Sequence, residues 1–335
     1  MALKVAINGF GRIGRLVYRA ILESGTTDVK VVCINDLGPT EANAHLLKYD
    51  TVHGILPANV AVHGDTMDAG QGPVRVTAEQ DPAKLPWKEL DIDVALECTG
   101  FFASKEAASA HLEAGAKRVL ISAPAKDADI TVVYGVNSDE LTADHTIVSN
   151  ASCTTNCLAP VAHVMHREFG IERGFMTTIH SFTGDQRTVD TLHSDLHRAR
   201  AASVSMIPTS TGAARAVGLV LPELNGKLDG TSIRVPTPNV SVIDFKFVPR
   251  KTASVESVNG AISAAAAGDL KGVLSTNDVP LVSSDFNHNP HSSIFDLPET
   301  QVIDGQFIRV LSWYDNEWGF SNRMVDTARA IGALL

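Results

Sequence analysis

Apolar positions in the first third of the chain alternate between two periods. Lys4–Asn8 is a short apolar run, and Ile13, Leu16, Val17, Ala20 and Ile21 then recur at helical spacing between Arg12 and Ser24. Val29–Ile34, Asp93–Glu97 and Arg118–Ser122 are further apolar runs, with the helical stretch Ser104–Ala114 between the last two. Strands alternating with helices predict a parallel sheet covered on both faces. After Asn150 the pattern changes. A helix-like segment, Ser152–Phe169, is followed by longer alternating runs at Phe175–His180, Ile233–Val235, Ser241–Val248 and Gln306–Trp313. These predict a second, α+β domain with a mostly antiparallel sheet. An alanine-rich helix over Ala261–Leu270 and a closing helix over Ser321–Leu335 complete the expected elements. No repeat and no long Gly/Ser/Pro linker interrupts the chain, so the boundary near residue 150 reads as tight.

Composition narrows the class. The 335 residues fit about two domains, and 44% hydrophobic residues supply ample material for a core. No apolar run approaches the ~18 residues of a membrane span, and the first residues read as a strand rather than a signal peptide. A net charge of −10 argues against a general binder of nucleic acid or anionic membranes. Four cysteines, Cys33, Cys98, Cys153 and Cys157, are too few for a disulfide scaffold and lack zinc-type paired spacing, so no metal is expected. A cytoplasmic home follows as the expectation.

Candidate chemistry falls in three places. Gly9-x-Gly11-x-x-Gly14 follows a strand and opens a helix, the context of a dinucleotide-binding turn of Rossmann type. Asp36 lies 22 residues past Gly14, after the second strand, where a carboxylate accepts from a ribose diol. Cys153 stands at a helix start, where the dipole and N–H groups favour a thiolate. Read alone, a helix-start cysteine also fits a small packing residue, and Cys157 one turn later is expected to pack in the core. His180 ends a strand 27 residues after Cys153 and is expected to partner it as an imidazolium. Pro160 predicts a kink or a local adjustment in that helix. Arg187, Arg198, Arg200, Arg215 and Arg234 lie near Thr183, Ser210, Thr211 and Gly212 in sequence, a donor set that suits a phosphate ester. A Cys-His hydrolase would use the same thiol and imidazole but would need neither Gly9–Gly14 nor Asp36.

Asn8–Gly14, Ser149–Asn156, Arg234–Pro238 and Trp313–Gly319 together resemble phosphorylating glyceraldehyde-3-phosphate dehydrogenase, along the whole chain. The resemblance implies a cofactor domain over residues 1–151, joined by the closing helix 317–335, and a catalytic domain over 152–316. It implies Cys153 as nucleophile and His180 as base. Ser152, Thr154, Thr183, Arg198, Thr211, Gly212 and Arg234 would hold the substrate phosphate and inorganic phosphate. Arg12, Ile13, Asp36, Ser122 and Asn316 would hold NAD alongside the glycines, with Asn316 on the carboxamide. A homotetramer is implied as well. Gln80 stands where that family usually has arginine, Phe320 where it has tyrosine, and Thr191-Leu192 where NAD-specific members often have Leu-Pro. Asp36 argues for NAD, and Thr191 leaves NADP as a weaker cofactor. Erythrose-4-phosphate dehydrogenase and a reductive NADP-using isoform are the neighbouring alternatives; Thr209–Ala214 favours the triose enzyme over the first.

Overall fold

The computed structural model describes residues 2–335. The chain divides into two compact units. One runs to Tyr134 and also takes Ser138–Ser152 and Ser321–Leu335; the other holds Gly135–Asn137 and Cys153–Phe320.

The first unit is built on a nine-stranded sheet. From one edge the order is Ile130–Thr131, Ile147–Ser149, Arg118–Ile121, Val94–Glu97, Leu3–Asn8, Val29–Asn35 and Pro73–Thr77, then Thr66–Asp68 and Ala61–His63. The first seven strands are parallel, and the last two add antiparallel hairpins at the edge. The central strand, Leu3–Asn8, is flanked by its sequence neighbour Val29–Asn35 on one side and by Val94–Glu97 on the other. Strand order therefore reverses at its carboxyl end, the place where open α/β sheets bind ligands. Val5, Ala6 and Ile7 are fully buried, as expected of a strand covered on both faces. The helix Arg12–Glu23 buries the predicted Leu16, Val17, Ala20 and Ile21. The closing helix starts at Trp318, three residues before the expected position, and ends at Gly332. Its later turns lie against the first strand: a Cβ at Gly332 would meet Leu3 at 2.6 Å, and Arg329 pairs with Asp28 at 3.0 Å.

The sequence pattern shows no element between Asp36 and Asp93. The structure places a helix there, Thr40–Lys48, and several short strands. That helix buries only Asn43, Ala44 and Leu47, too few apolar positions to print a period.

The second unit holds an eight-stranded mixed sheet, ordered Ile207–Thr209, Leu228–Val235, Ile171–Ser181, Ser241–Pro249, Phe307–Tyr314, Ser293–Asp296 and Leu274–Asn277, with Gln301–Ile303 paired to Phe307–Tyr314. Most pairings are antiparallel, as expected, but Ile171–Ser181 runs parallel to Leu228–Val235, and Leu274–Asn277 parallel to Ser293–Asp296. The first parallel pair needs a crossover, which contains the unforeseen helix Ala213–Val220. The alanine-rich helix spans Val255–Ala267, earlier than expected, because Ser254 and Ser257 form a capping box at its start. Beneath the sheet, the helix Cys153–Phe169 continues through Pro160 and is buried over most of its length. It packs on the helices Ala213–Val220 and Val255–Ala267 and on the strands Ser241–Pro249 and Phe307–Tyr314. No helix among the described residues is long and apolar enough to cross a membrane.

Candidate active site

In the first unit, the carboxyl ends of the central strands open into a cavity of about 360 Å³. Asn8, Gly9, Gly11, Asn35, Asp36 and Thr99 are among the residues that line it. Two glycines are required by geometry. Gly9 has φ +89°, and a Cβ there would stand 2.7 Å from Thr99 N; at Gly14 a Cβ would meet the Gly9 carbonyl oxygen at 2.1 Å. Gly11 is the N-cap of the following helix, with no side-chain cap, and a Cβ there would meet nothing within 4 Å. An uncapped helix start facing open space suits a pyrophosphate, which accepts from backbone N–H groups. These features fit a dinucleotide.

Asp36 is held at the rim of this cavity. Its Oδ2 accepts from Phe10 N at 2.9 Å and its Oδ1 from Gly38 N at 2.9 Å, which couples the glycine turn to the end of the second strand. Leu37 and Phe101 are exposed apolar walls of the same cavity, and Gln80 also lines it. Ile13 and Arg12 lie in the first helical turn. The Arg12 guanidinium grips Asp50, with its second bond at 3.2 Å. Burial would raise the Asp50 carboxyl, but Arg12 and the N–H groups of His53 and Val52 hold it well below the usual range. Ser122 sits past the end of the strand Arg118–Ile121, its N–H on the Glu97 carbonyl and its hydroxyl at the Cys98 thiol; it does not line the cavity.

In the second unit, a helix start and a strand end meet. Ala151, in left-handed backbone at φ +56°, turns the chain into the helix that Cys153 begins, with Ser152 just before it. Cys153 Sγ stands 3.5 Å from His180 Nε2. Thr154, the next residue, gives its hydroxyl to a cluster: Thr154 Oγ1 lies 2.8 Å and Thr178 Oγ1 2.9 Å from the Tyr314 hydroxyl. The Tyr314 ring meets the His180 ring edge to face at 5.9 Å. Tyr314 is thus a support of this site to which the sequence reading assigns no role. Its only sequence signal is its place in the motif Trp313–Gly319.

The imidazolium expectation is corrected. His180 Nδ1 lies 2.7 Å from Ser181 O and also 2.7 Å from Arg234 Nη1. A guanidinium only donates, so a doubly protonated ring would set an N–H against it. Burial and then the Arg234 charge lower the His180 pKa to about 3, against a smaller opposing effect of the Ser181 carbonyl. Burial and Arg234 thus favour the neutral ring. Burial pushes the Cys153 thiol up; Arg234, the Thr154 hydroxyl and the N–H groups of Thr154 and Cys153 pull it back. The standing cation beside this thiol is Arg234, not His180. One turn later Cys157 has no such cation, and burial pushes it to about 12, with Ser293 and Ser312 opposing. It packs in the core as expected.

The remaining predicted residues divide. Arg198 donates from Nε and Nη2 to Thr209 Oγ1 at 3.0 and 2.6 Å, and from Nη1 to Asp185 at 2.6 Å. Thr209 is two residues before Thr211, whose hydroxyl accepts from Ala213 N at 3.1 Å, and Gly212 is the N-cap of the helix Ala213–Val220. Arg198 is thus tied to the strand that leads into this helix start. Thr183 follows the strand that carries His180, and its N–H donates to Gln186 Oε1 at 3.0 Å. Asn316 Oδ1 accepts from the Ser181 and Ser241 hydroxyls, both at 2.9 Å, which leaves its NH2 end to donate elsewhere. Arg187, Arg200 and Arg215 join no part of this cluster: Arg200 pairs with Asp190 and Arg215 with Asp229, while Arg187 donates to Leu192 O. Among the described residues no group of three or more His, Cys, Asp or Glu is placed to hold a metal ion.

Comparison with known proteins adds a separate line. A family model for the NAD binding domain of glyceraldehyde 3-phosphate dehydrogenase matches residues 3–105, and one for its C-terminal domain matches residues 152–316. The chain is 68% identical to a glyceraldehyde-3-phosphate dehydrogenase of Xanthobacter flavus and 65% identical to one of Cereibacter sphaeroides, over the whole of each chain. A third, from Geobacillus stearothermophilus, is 56% identical over 99% of both chains.

Proposed function

The chain belongs to the glyceraldehyde 3-phosphate dehydrogenase family, and on that premise we propose that it oxidises and phosphorylates D-glyceraldehyde 3-phosphate to 1,3-bisphosphoglycerate through Cys153. The observation that carries the reading is the helix-start thiol 3.5 Å from a neutral, buried imidazole.

Cys153 sulfur adds to the aldehyde carbon, and the carbonyl oxygen takes a proton to give a thiohemiacetal. His180 Nε2 accepts that hydroxyl proton as the carbon gives up hydride. NAD, when bound, supplies the hydride acceptor. The carbon is then a thioester of Cys153. A phosphate oxygen attacks it, the carbon–sulfur bond breaks, and Cys153 leaves as thiolate. Base catalysis requires the ring proton on Nδ1, donating to Ser181 O. With Arg234 Nη1 2.7 Å from the same nitrogen, a phosphate that draws Arg234 aside favours that tautomer.

Ser152, Thr154, Thr183, Arg198, Thr211, Gly212 and Arg234 hold the substrate phosphate and inorganic phosphate. Two anion sites reconcile these cations with an acidic chain. Gly9, Gly11, Arg12, Ile13, Gly14 and Asp36 hold NAD at the cavity, Ser122 serves it from outside the cavity, and Asn316 donates to its carboxamide. NADP serves as a weaker cofactor, since the Asp36 carboxylate repels a 2′-phosphate. We assign residues 1–151 with 317–335 to the cofactor domain and 152–316 to the catalytic domain; the two compact units support that division. A cytoplasmic homotetramer completes the proposal. The test is a rate assay with NAD and NADP, with and without phosphate. NAD is expected to win clearly, and omission of phosphate to limit NADH to about one equivalent per Cys153. NADP efficiency equal to that of NAD overturns the cofactor assignment.

A further inference from the structure

Beneath the cavity of the first unit lies a carboxylate that no step of the proposed reaction uses. The Glu97 side chain is fully buried, and among the described residues no Lys or Arg pairs with it. Four donors satisfy it instead. Oε1 accepts from Thr99 N at 2.7 Å and from the Thr99 hydroxyl; Oε2 accepts from Asn8 Nδ2 at 2.6 Å and meets His111 Nε2 at 2.9 Å. His111 is itself fully buried, and its Nδ1 lies 3.0 Å from Trp87 Nε1. An indole nitrogen only donates, so His111 Nδ1 is an acceptor and the ring carries its proton on Nε2. His111 is therefore a neutral donor to Glu97, locked by Trp87, and not a counter-cation.

Two of the three residues that supply these donors also line the cavity. Asn8 and Thr99 line it, and Asn8 Oδ1 accepts from Asn35 Nδ2 at 2.7 Å, which places a third lining residue on the same network. Thr99 Oγ1 in turn accepts from Phe101 N at 3.0 Å, and the Phe101 side chain is 87% exposed at the cavity wall. A buried carboxylate with four lone-pair directions taken leaves each donor one orientation.

We propose that Glu97 is a positioning residue for the dinucleotide: from under the cavity floor it orients Asn8, Thr99 and, through Thr99, Phe101, while Trp87 and His111 hold the carboxylate in place without charge. This rests on the reading of that cavity as the NAD site. Glu97→Gln turns one acceptor into a donor that faces other donors, and the floor loses its single arrangement.

The experiment is calorimetric titration of NAD into the full-length, cofactor-free protein and three variants, with the iodoacetamide rate of Cys153 measured alongside. Glu97→Gln is expected to weaken NAD binding about tenfold, the scale of one buried donor left unpaired. The Cys153 alkylation rate should stay unchanged, which reports an intact second unit. His111→Gln should bind NAD nearly as wild type, because an amide both accepts from Trp87 and donates to Glu97. His111→Leu, of similar bulk but with no donor, should lose affinity as Glu97→Gln does. Wild-type affinity in Glu97→Gln, or equal affinity in the two His111 variants, overturns the proposal. If Glu97→Gln does not fold, the His111 pair decides alone. Failure of the wild-type protein to bind NAD would instead overturn the reading of the cavity.

Discussion

His111 and His180 are both buried imidazoles, one in each unit, and both are held neutral. They differ in what the second nitrogen meets. His111 accepts from an indole N–H and donates to a carboxylate. His180 stands between a carbonyl with an arginine and a thiol, and the thiol is a partner that gives up its proton. Burial alone thus does not mark a histidine as catalytic. The chemistry of the neighbour at Nε2 does: a locked acceptor makes a strut, a labile donor makes a base.

The widest separation between the regions comes from Cys153→Ser. It should lower aldehyde oxidation roughly 10⁵-fold, on the scale of losing a nucleophile, and leave NAD affinity in the first unit unchanged. Loss of NAD binding in that variant would break the independence of the two regions. Next, His180→Asn should slow hydride transfer about 10²–10⁴-fold, the range for one positioned acid–base group; a rate within a fewfold of wild type would make His180 a strut like His111.

The source of thiol activation sharpens the contrast. Arg234 lowers the Cys153 thiol pKa, so Arg234→Gln should move the pH midpoint of thiol alkylation upward. A neutral His180 contributes no charge, so His180→Asn should move that midpoint less than Arg234→Gln does. The reverse order would restore an imidazolium at His180.

In the first unit, a half-buried carboxylate at the cavity rim contrasts with the buried one. Asp36→Ala should narrow the preference for NAD over NADP by about tenfold, from relief of charge repulsion of roughly 1–4 kcal/mol, measured as the ratio of catalytic efficiencies. The smallest effect belongs to Cys157→Ser. Its thiol already meets Ser293 Oγ at 3.4 Å, so a hydroxyl finds partners, and the cost should stay near about 1 kcal/mol by denaturant unfolding with activity kept.

Local features of this molecule were legible in its sequence. The glycine turn, Asp36 and the helix-start thiol each follow from residues within one turn or one strand end, and spacing on regular elements brought His180 to Cys153. What stayed hidden depends on long-range meeting. Asn8 reaches Glu97 across 89 residues, and Thr154 reaches Tyr314 across 160. No local period records such pairs, and a buried Glu, His and Trp at positions 97, 111 and 87 read singly as unremarkable residues. The protonation of His180 is hidden for the same reason: Arg234, whose charge disfavours the imidazolium, lies 54 residues away on the neighbouring strand. The parallel pairing of Ile171–Ser181 with Leu228–Val235 leaves little trace in the sequence because its crossover helix is only eight residues long.

The network under the cavity has a consequence in time as well as in affinity. A floor whose polar groups already hold one another does not wait for its ligand to assemble it. The ordering cost that a loose pocket charges to each binding event is met once, at folding. Cofactor capture then proceeds at the pace of diffusion and orientation, with no slow rearrangement after encounter. In a stopped-flow trace this is a single phase whose rate rises in proportion to NAD without levelling off, and unlocking Glu97 should add a second, concentration-independent phase.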